Sequence, residues 1–565
     1  MLYLTVLMHY VLDLVLEDIV QDVQKMLQLT EKPSIGPGKA GFAADFAIPC
    51  FSFARELHKS PQAVAEQIVA ELQHPAIKEA KAVSGFLNIT LSSSVVAEGV
   101  GEIVAKREAY GAQHVFEGKT QVIETNNPNP FKDMHIGHAY NSIVADTIAN
   151  LLELGGGNVH RVSYHGDVGL HVGRSMWAIL KYANGDISRL ETIVPAERPA
   201  FLSKMYVEGT GAYEGEPLEK QQIELLAKQS FTLDDPYFKQ VYELCKQWSF
   251  DYLDEIIATI GSKRVEKRYL ERDADALGRE VVEANIGTVF ENSDGAVIFP
   301  GEKYDLHTRV FISSRGTTLY EARDLGLMQL KAQDFTPDMS YIVTGEEQRE
   351  YFSVVLKATN LALPKLAGKT TNIPTGMVKL STGKMSSRTG KVLNIEWLFN
   401  ALRESILAKS PTSGTLDDTV TGALRYAMLR VRIGSDIIFD INEAVSLEGN
   451  SGPYLQYAHA RGRSILAKLS VAPANTLMSL EEDEHALAVK LLAFSTVTAK
   501  AAAELAPHTV CTYLYELTQQ FNRFYEHNRI VGHEREAERA LLVDAYATVL
   551  KNGLTLLGIP APERL

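Results

Sequence analysis

The sequence predicts a multidomain α/β protein, with a small α+β domain ahead of the α/β domain and an all-α bundle behind it. Three observations carry the prediction. The 565 residues exceed what one core holds, at roughly 100–200 residues per domain. A strand-like run, Thr120–Thr125, leads through the Asn- and Pro-rich loop Asn126–Pro130 into a helical stretch from about Met134 to Leu154 that stops at Gly155-Gly156-Gly157. That strand–loop–helix order opens doubly wound α/β folds. From about Asp417 onward nearly every segment carries helical periodicity.

In residues 1–117, the α+β domain, Ser60-Pro61 reads as an N-cap followed by proline at the first helical position. Val64, Ile68 and Leu72 then share a helix face, and Gly85–Leu91 alternates like a short strand. Residues 118–415 form the α/β domain, with Val122-Ile123 in a buried first strand. A long, charged, mostly helical pattern from about Arg174 to Val297 reads as an insertion spanning about 174–300, after which the α/β pattern returns at Thr308–Ile312 and Tyr341–Thr344. In residues 416–565, Leu424, Met428 and Val431 line one helix face, as do Leu514, Leu517, Phe521 and Phe524. Gly558 and Pro560 close the last helix.

Composition excludes several classes. Hydrophobic residues make up 45 % and charged residues 22 %, as in average globular proteins. The three cysteines, Cys50, Cys245 and Cys511, are far apart, so neither a structural zinc site nor a disulfide framework is expected, and a reducing cytoplasm is. The opening run Met1–Val20 is apolar, but no Lys or Arg precedes it, and Asp13, Glu17 and Asp18 interrupt it. It predicts an amphipathic helix packed on its own domain, with no membrane partner. At a net charge of −14, any nucleic-acid site must be a local basic patch.

Two segments carry chemistry. In His135-Ile136-Gly137-His138 the histidines lie three apart on one face at a helix start, beside free N–H groups and the positive dipole end, where a phosphate binds. Gly137 removes a side chain where a nucleotide must approach the backbone. The second segment is Lys384-Met385-Ser386-Ser387-Arg388-Thr389-Gly390-Lys391, a basic, hydroxyl-rich loop before the helix Ile395–Lys409. Such a loop suits closure on a triphosphate.

These segments resemble the HIGH and KMSKS signatures of class I aminoacyl-tRNA synthetases. Over nearly the whole chain the sequence resembles the arginyl-tRNA synthetases: Gly85-Phe86-Leu87-Asn88 near the end of that family's N-terminal additional domain, His165-Gly166-Asp167-Val168-Gly169 after the first helix, Gly422-Ala423-Leu424-Arg425 at the DALR element, and Leu554–Pro562 at the C-terminal ending. The resemblance implies a class I Rossmann-type catalytic domain with a helical insertion, an N-terminal domain touching the tRNA elbow and a DALR-type anticodon-binding bundle. It implies ATP-dependent ligation of L-arginine to its tRNA through an arginyl-adenylate, with release of AMP and pyrophosphate. It also implies Mg2+ on the ATP, a monomer in the cytoplasm, and activation that needs bound tRNA.

Residue by residue, the resemblance gives Lys132, His135, His138 and Lys384 catalytic roles. Gly137, Val378, Met385 and Ser386 join them around ATP. Arginine's planar guanidinium needs carboxylates placed for forked hydrogen bonds. Glu124 ends the first strand, and Tyr320 and Asp324, four apart, share a helix face. These three are expected on the guanidinium, with Asn129 and Gln348 on the substrate's backbone end. For tRNA, unpaired bases stack on aromatics and arginine planes. Arg425, Arg430, Asn522, Arg523 and Tyr525 are the expected contacts in the bundle, and Phe86 and Asn88 those at the elbow; Phe521 and Phe524 are expected in the core.

The sequence departs from the family pattern at four places. Arg388 replaces the second KMSKS lysine, and Lys132, just ahead of the histidines, is expected to supply that charge. His171 and Tyr140 stand for a glutamine and an arginine at the expected pocket edge, and Gly422 replaces the DALR aspartate, an expected change at a cap. The rival readings are a class I synthetase for another amino acid, a small-molecule nucleotidyltransferase, and a catalytically silent tRNA-binding protein. The long helical C-terminal region speaks against the second, and intact His135, His138 and Lys384 against the third.

Overall fold

The computed structural model describes residues 10–38, 44–215, 217–381, 394–409 and 415–564. Lys384, Met385, Ser386 and Arg388 lie outside the described residues. The α/β domain is built on a five-stranded parallel sheet, ordered in space Thr370–Thr375, Met339–Gly345, Thr120–Glu124, Asn158–His165, Lys267–Leu270. Strand order reverses between Thr120–Glu124 and Met339–Gly345, so the crevice for a ligand opens beyond the C-terminal ends of those two strands. Helix Ile136–Leu154 follows the first strand and is buried along most of its length.

Two expectations about the insertion are corrected. Lys267–Leu270 lies within the range read as helical, yet it pairs in parallel with Asn158–His165 as an edge of the main sheet. The true helical insert is shorter and ends with Pro236–Thr259. It has a core of its own, centred on Val172, Met176, Ile223, Val241 and Tyr242. Strand Arg309–Ile312 belongs to a separate antiparallel sheet with Ala296–Phe299 and Glu291–Ser293. Four-residue apolar runs carry no information about which sheet they join.

The N-terminal domain is a four-stranded antiparallel sheet covered by helices Val11–Leu27, Pro61–Glu71 and Ser93–Lys106. Ser60 caps Pro61–Glu71 by accepting from the Ala63 N–H at 3.2 Å, as its sequence predicts. The first helix does not pack only on its own domain. Asp13 accepts the hydroxyls of Ser495 and Thr496 at 3.3 and 3.2 Å, and Tyr110 donates to the Leu492 carbonyl at 3.2 Å. The first and last domains are thus docked through a shared core. Burying the Asp13 carboxyl there raises its pKa to about 7.

The bundle runs from Leu416–Leu429 to Glu536–Leu556, with a short strand, Ile437–Phe439, parallel to Val378–Leu380. The stretch Glu482–Glu504 is long and apolar enough to cross a membrane by length and composition, but Ala493 breaks it into two helices and 56 % of its apolar window is buried in the bundle. Phe521 stacks on Tyr546 at 3.7 Å inside the bundle, and Phe524 is buried, as expected. Gly422 sits within helix Leu416–Leu429, not at a cap. A Cβ there would stand 2.4 Å from Gln456 Oε1, so a larger residue would require the end of the Gln456 side chain to move.

Candidate active site

His135 is the N-cap of helix Ile136–Leu154: its Nδ1 accepts the His138 N–H at 3.2 Å. A ring that accepts at Nδ1 carries its proton on Nε2, which is then a donor. The two imidazoles stack at 3.5 Å between centroids. Burial, His135 and Lys132 push the His138 pKa down to about 3; burial, then Lys132, lowers His135. Both rings are therefore neutral near pH 7. His138 Nδ1 is buried and has no hydrogen-bond partner among the described residues. Lys132 stands over the Tyr206 ring at 5.3 Å, on a helix of the insert. Next to it, Asp133 accepts from Ser203 at 2.8 Å. Ile395 donates its N–H to the Met134 carbonyl at 3.2 Å, which anchors the start of helix Ile395–Lys409 beside the histidines.

A cleft of about 520 Å³ opens beside His138 at the strand-order switch. Every residue expected on arginine lines it: Glu124, Asn129, Tyr320, Asp324 and Gln348. Glu124 sits at the end of its strand, 3 % exposed. Tyr320 and Asp324 lie one turn apart at the start of helix Tyr320–Phe335, the tyrosine 61 % exposed at the mouth and the aspartate buried. Asn129 Oδ1 accepts the Gly166 N–H at 2.8 Å, which fixes its amide toward the cleft floor.

Several residues were missed by sequence reasoning. Lys331, buried seven positions after Asp324, pairs with Glu124 at 2.7 Å; the i, i+7 spacing was the available signal. Glu271 lines the cleft and pairs with Arg323 at 2.8 Å. It was hidden because the strand it follows was read as insertion. Tyr351 donates its hydroxyl to Asp324. Burial, against that hydrogen bond, raises the Asp324 pKa to about 8, and burial against Arg323 raises Glu271 to about 7.

Other expected positions fall elsewhere. Val378, expected beside ATP, is buried in its strand. Neither Tyr140 nor His171 reaches the cleft surface: Tyr140 is buried in the core, and His171 hydrogen-bonds the Gly166 carbonyl at 2.7 Å from behind. Arg425 is not a surface contact. It is fully buried, pairs with Asp146 at 2.9 Å, and spends its guanidinium on Leu557 O, Ile260 O and Thr147 Oγ1. Asn88 is also buried, its amide donating to the Phe86 carbonyl at 3.3 Å. Neither is placed to meet RNA. Arg430 is held by Glu443 at 2.8 Å, and the Asn522 amide donates to the Tyr454 hydroxyl at 2.9 Å. Arg523 is exposed, and Tyr525 lies under the Arg461 guanidinium at 4.4 Å. Phe86 packs edge-on against Phe51, which is 49 % exposed.

Comparison with known proteins bears on the whole chain. The family described as "Arginyl tRNA synthetase N terminal domain" matches residues 13–91, "tRNA synthetases class I (R), catalytic domain" matches 99–410, and "DALR anticodon binding domain" matches 455–565. The arginine–tRNA ligase of Treponema denticola is 30 % identical over 92 % of this chain and 92 % of its own. That of Bacteroides thetaiotaomicron is 28 % identical over 96 % of each. The solved structure of Thermus thermophilus arginyl-tRNA synthetase superposes with a TM-score of 0.75 at 23 % identity, covering 97 % of this chain and 99 % of that one, and shares its fold.

Proposed function

The chain belongs to the arginyl-tRNA synthetase family, and on that premise we propose that it ligates L-arginine to its tRNA, using ATP and passing through an arginyl-adenylate. The observation that carries the reading is the cleft beside His138, where buried Glu124 and Asp324 converge at the strand-order switch. An acidic, forked acceptor set suits a guanidinium.

Arginine enters side chain first, its guanidinium on Asp324 and Glu124 with Tyr320 at the mouth. Asn129 and Gln348 hold the amino and carboxylate end. A carboxylate oxygen attacks the α-phosphate of ATP; the new O–P bond forms as the bond to pyrophosphate breaks. Neutral His135 and His138 donate N–H groups to phosphate oxygens, and Lys132 and Lys384 add positive charge as the leaving group develops its own. Gly137 leaves room for the nucleotide, with Met385, Ser386 and Val378 as its further neighbours. A terminal ribose hydroxyl of the tRNA then attacks the adenylate carbonyl and AMP leaves, with no covalent enzyme intermediate. Among the described residues no group of three or more His, Cys, Asp or Glu could hold a metal ion. Mg2+ would be carried on the phosphate oxygens, where it neutralises charge. The tRNA lies along Phe86, Arg430, Asn522, Arg523 and Tyr525, and the enzyme works as a cytoplasmic monomer that needs tRNA for activation.

Arginine-dependent exchange of pyrophosphate into ATP, with and without tRNA, tests the reading. Exchange with arginine and tRNA, and none with glutamine, glutamate or cysteine, is expected; no exchange with arginine plus tRNA overturns it. Lys132→Ala should cut activation far more than arginine binding, and an equal loss in both would remove Lys132 from the phosphate site.

A further inference from the structure

Three carboxylates surround the buried end of the cleft, and they are not compensated alike. Glu124 has an ammonium at 2.7 Å: Lys331, 1 % exposed, two helical turns beyond Asp324. Its other oxygen accepts the Asn127 amide at 2.6 Å. Glu271 has the Arg323 guanidinium at 2.8 Å, which it shares with Asp275 at 3.1 Å. Asp324 has the Tyr351 hydroxyl and, among the described residues, no ion pair. Glu347 also borders the cleft, but it is exposed and screened by water.

We propose that Lys331 is a positioning residue that sets the charge this pocket accepts: by neutralising Glu124 it makes that carboxylate a fixed hydrogen-bond acceptor and leaves Asp324 as the carboxyl that supplies the counter-charge when a cation enters. The inference rests on the reading of the cleft as an arginine site. An ionised carboxylate offers about four lone-pair sites, so Glu124 can hold Lys331 and Asn127 and still accept from a ligand N–H. Without Lys331, Glu124 would face the cleft with no counter-charge of its own, and ionising Asp324 beside it would be opposed. With it, a singly charged guanidinium is matched by Asp324. A neutral urea of the same shape gains no ion pair from Asp324, whereas a guanidinium pairs with its carboxylate.

The test is the ratio of arginine to citrulline affinity, read as KM for arginine and Ki for citrulline in tRNA-supported pyrophosphate exchange. Asp324→Asn should lower that ratio about 100-fold or more, and Glu124→Gln by less than about tenfold, consistent with a charged as against a neutral hydrogen-bond acceptor. Lys331→Met should raise KM for arginine more than about tenfold with kcat within about threefold, and Lys331→Arg should restore it. The double variant Glu124→Gln/Lys331→Met should return to the ratio of Glu124→Gln alone, because the pair is removed together. If Lys331→Met does not fold, the double variant, neutral at both positions, still decides. Equal ratios in the double variant and Glu124→Gln support the proposal, and a further fall overturns it. A Lys331→Met enzyme with lower Tm and unchanged KM also overturns it. Absence of arginine exchange in the unaltered protein would instead defeat the arginine reading itself.

Discussion

Two buried ion pairs, Arg425–Asp146 and Lys331–Glu124, look alike and do different work. Both cations are at most 1 % exposed. Arg425 is saturated: beyond Asp146 at 2.9 Å, its donors reach the Leu557 and Ile260 carbonyls, Ser262 Oγ and Thr147 Oγ1. It ties the histidine helix, the end of the insert's last helix and the chain's final turn to the bundle. Gly558, at φ +68°, is required there, since a Cβ would stand 2.4 Å from the guanidinium carbon. Glu124 is half spent, with Lys331 and Asn127 behind it and a cleft in front. A buried charge with every valence used is a structural latch; one that still faces a cavity is available to a ligand.

The largest effect that could break this contrast is on stability. Arg425→Met leaves Asp146 with only Arg161 at 3.4 Å and the Lys263 N–H at 3.1 Å, and losing one partner of a buried pair costs about 3–5 kcal/mol. Chemical denaturation should record a loss of that order, with kcat per folded molecule within about threefold. A stable variant with weakened tRNA binding would return Arg425 to the RNA-contact list. Next comes His138→Ala, which should lower the activation rate by about 10²–10³, the usual result of deleting one transition-state donor, with Tm near that of the parent. Because the His138 pKa is held near 3, no loss of rate from its protonation is expected between pH 6 and 9. A rate limb in that range which vanishes in His138→Ala would contradict its neutrality.

Much of the catalytic half was legible from local signals. The glycine stop after Leu154, the histidine pair at the helix start, Glu124 at a strand end and the spacing of Tyr320 and Asp324 each carry their own geometry. What stayed hidden needed the third dimension. Lys267–Leu270 is four residues long amid helical sequence, and only its pairing with Asn158–His165 makes it a sheet edge. A basic residue on a helix reads as solvated, and nothing local distinguishes Arg425 from Arg430, although one is fully buried and the other is held by Glu443. The first helix displayed an apolar face, but not that Asp13 beside it is buried against Ser495 and Thr496.

The cleft should also announce itself through pH. Burial keeps the Asp324 carboxyl protonated up to about pH 8, while a guanidinium stays charged throughout. Arginine therefore binds the ionised form and must displace a proton below that pH. KM for arginine should fall as pH rises from 6 to 8, by at most about tenfold per unit, and then level off. Asp324→Asn should flatten the profile and raise KM. The groups facing Asp324 are Glu124, Glu271, Tyr351 and Lys331. If Glu271→Gln flattens the profile and Asp324→Asn does not, the titrating carboxyl is the one beside Arg323.

The smallest effect concerns the bundle face, where a column of rings runs outward from the core. Phe521 stacks on Tyr546 at 3.7 Å, Tyr525 on Phe521 at 6.3 Å, and the Arg461 guanidinium lies 4.4 Å above Tyr525. The inner rings are buried and serve packing, whereas the outer pair is a surface on which an unpaired base could stack. Such stacking is worth about 1–3 kcal/mol per base. Tyr525→Leu keeps apolar volume but removes the stacking plane, so KM for tRNA should rise about five- to tenfold, the low end of that range. Arg461→Met should act in the same direction and not add fully to it, because both substitutions disassemble one platform. A fall in Tm with unchanged KM for tRNA would assign Tyr525 to the core with Phe521. The column of rings would then be a second latch like Arg425, with all of its surface already spent.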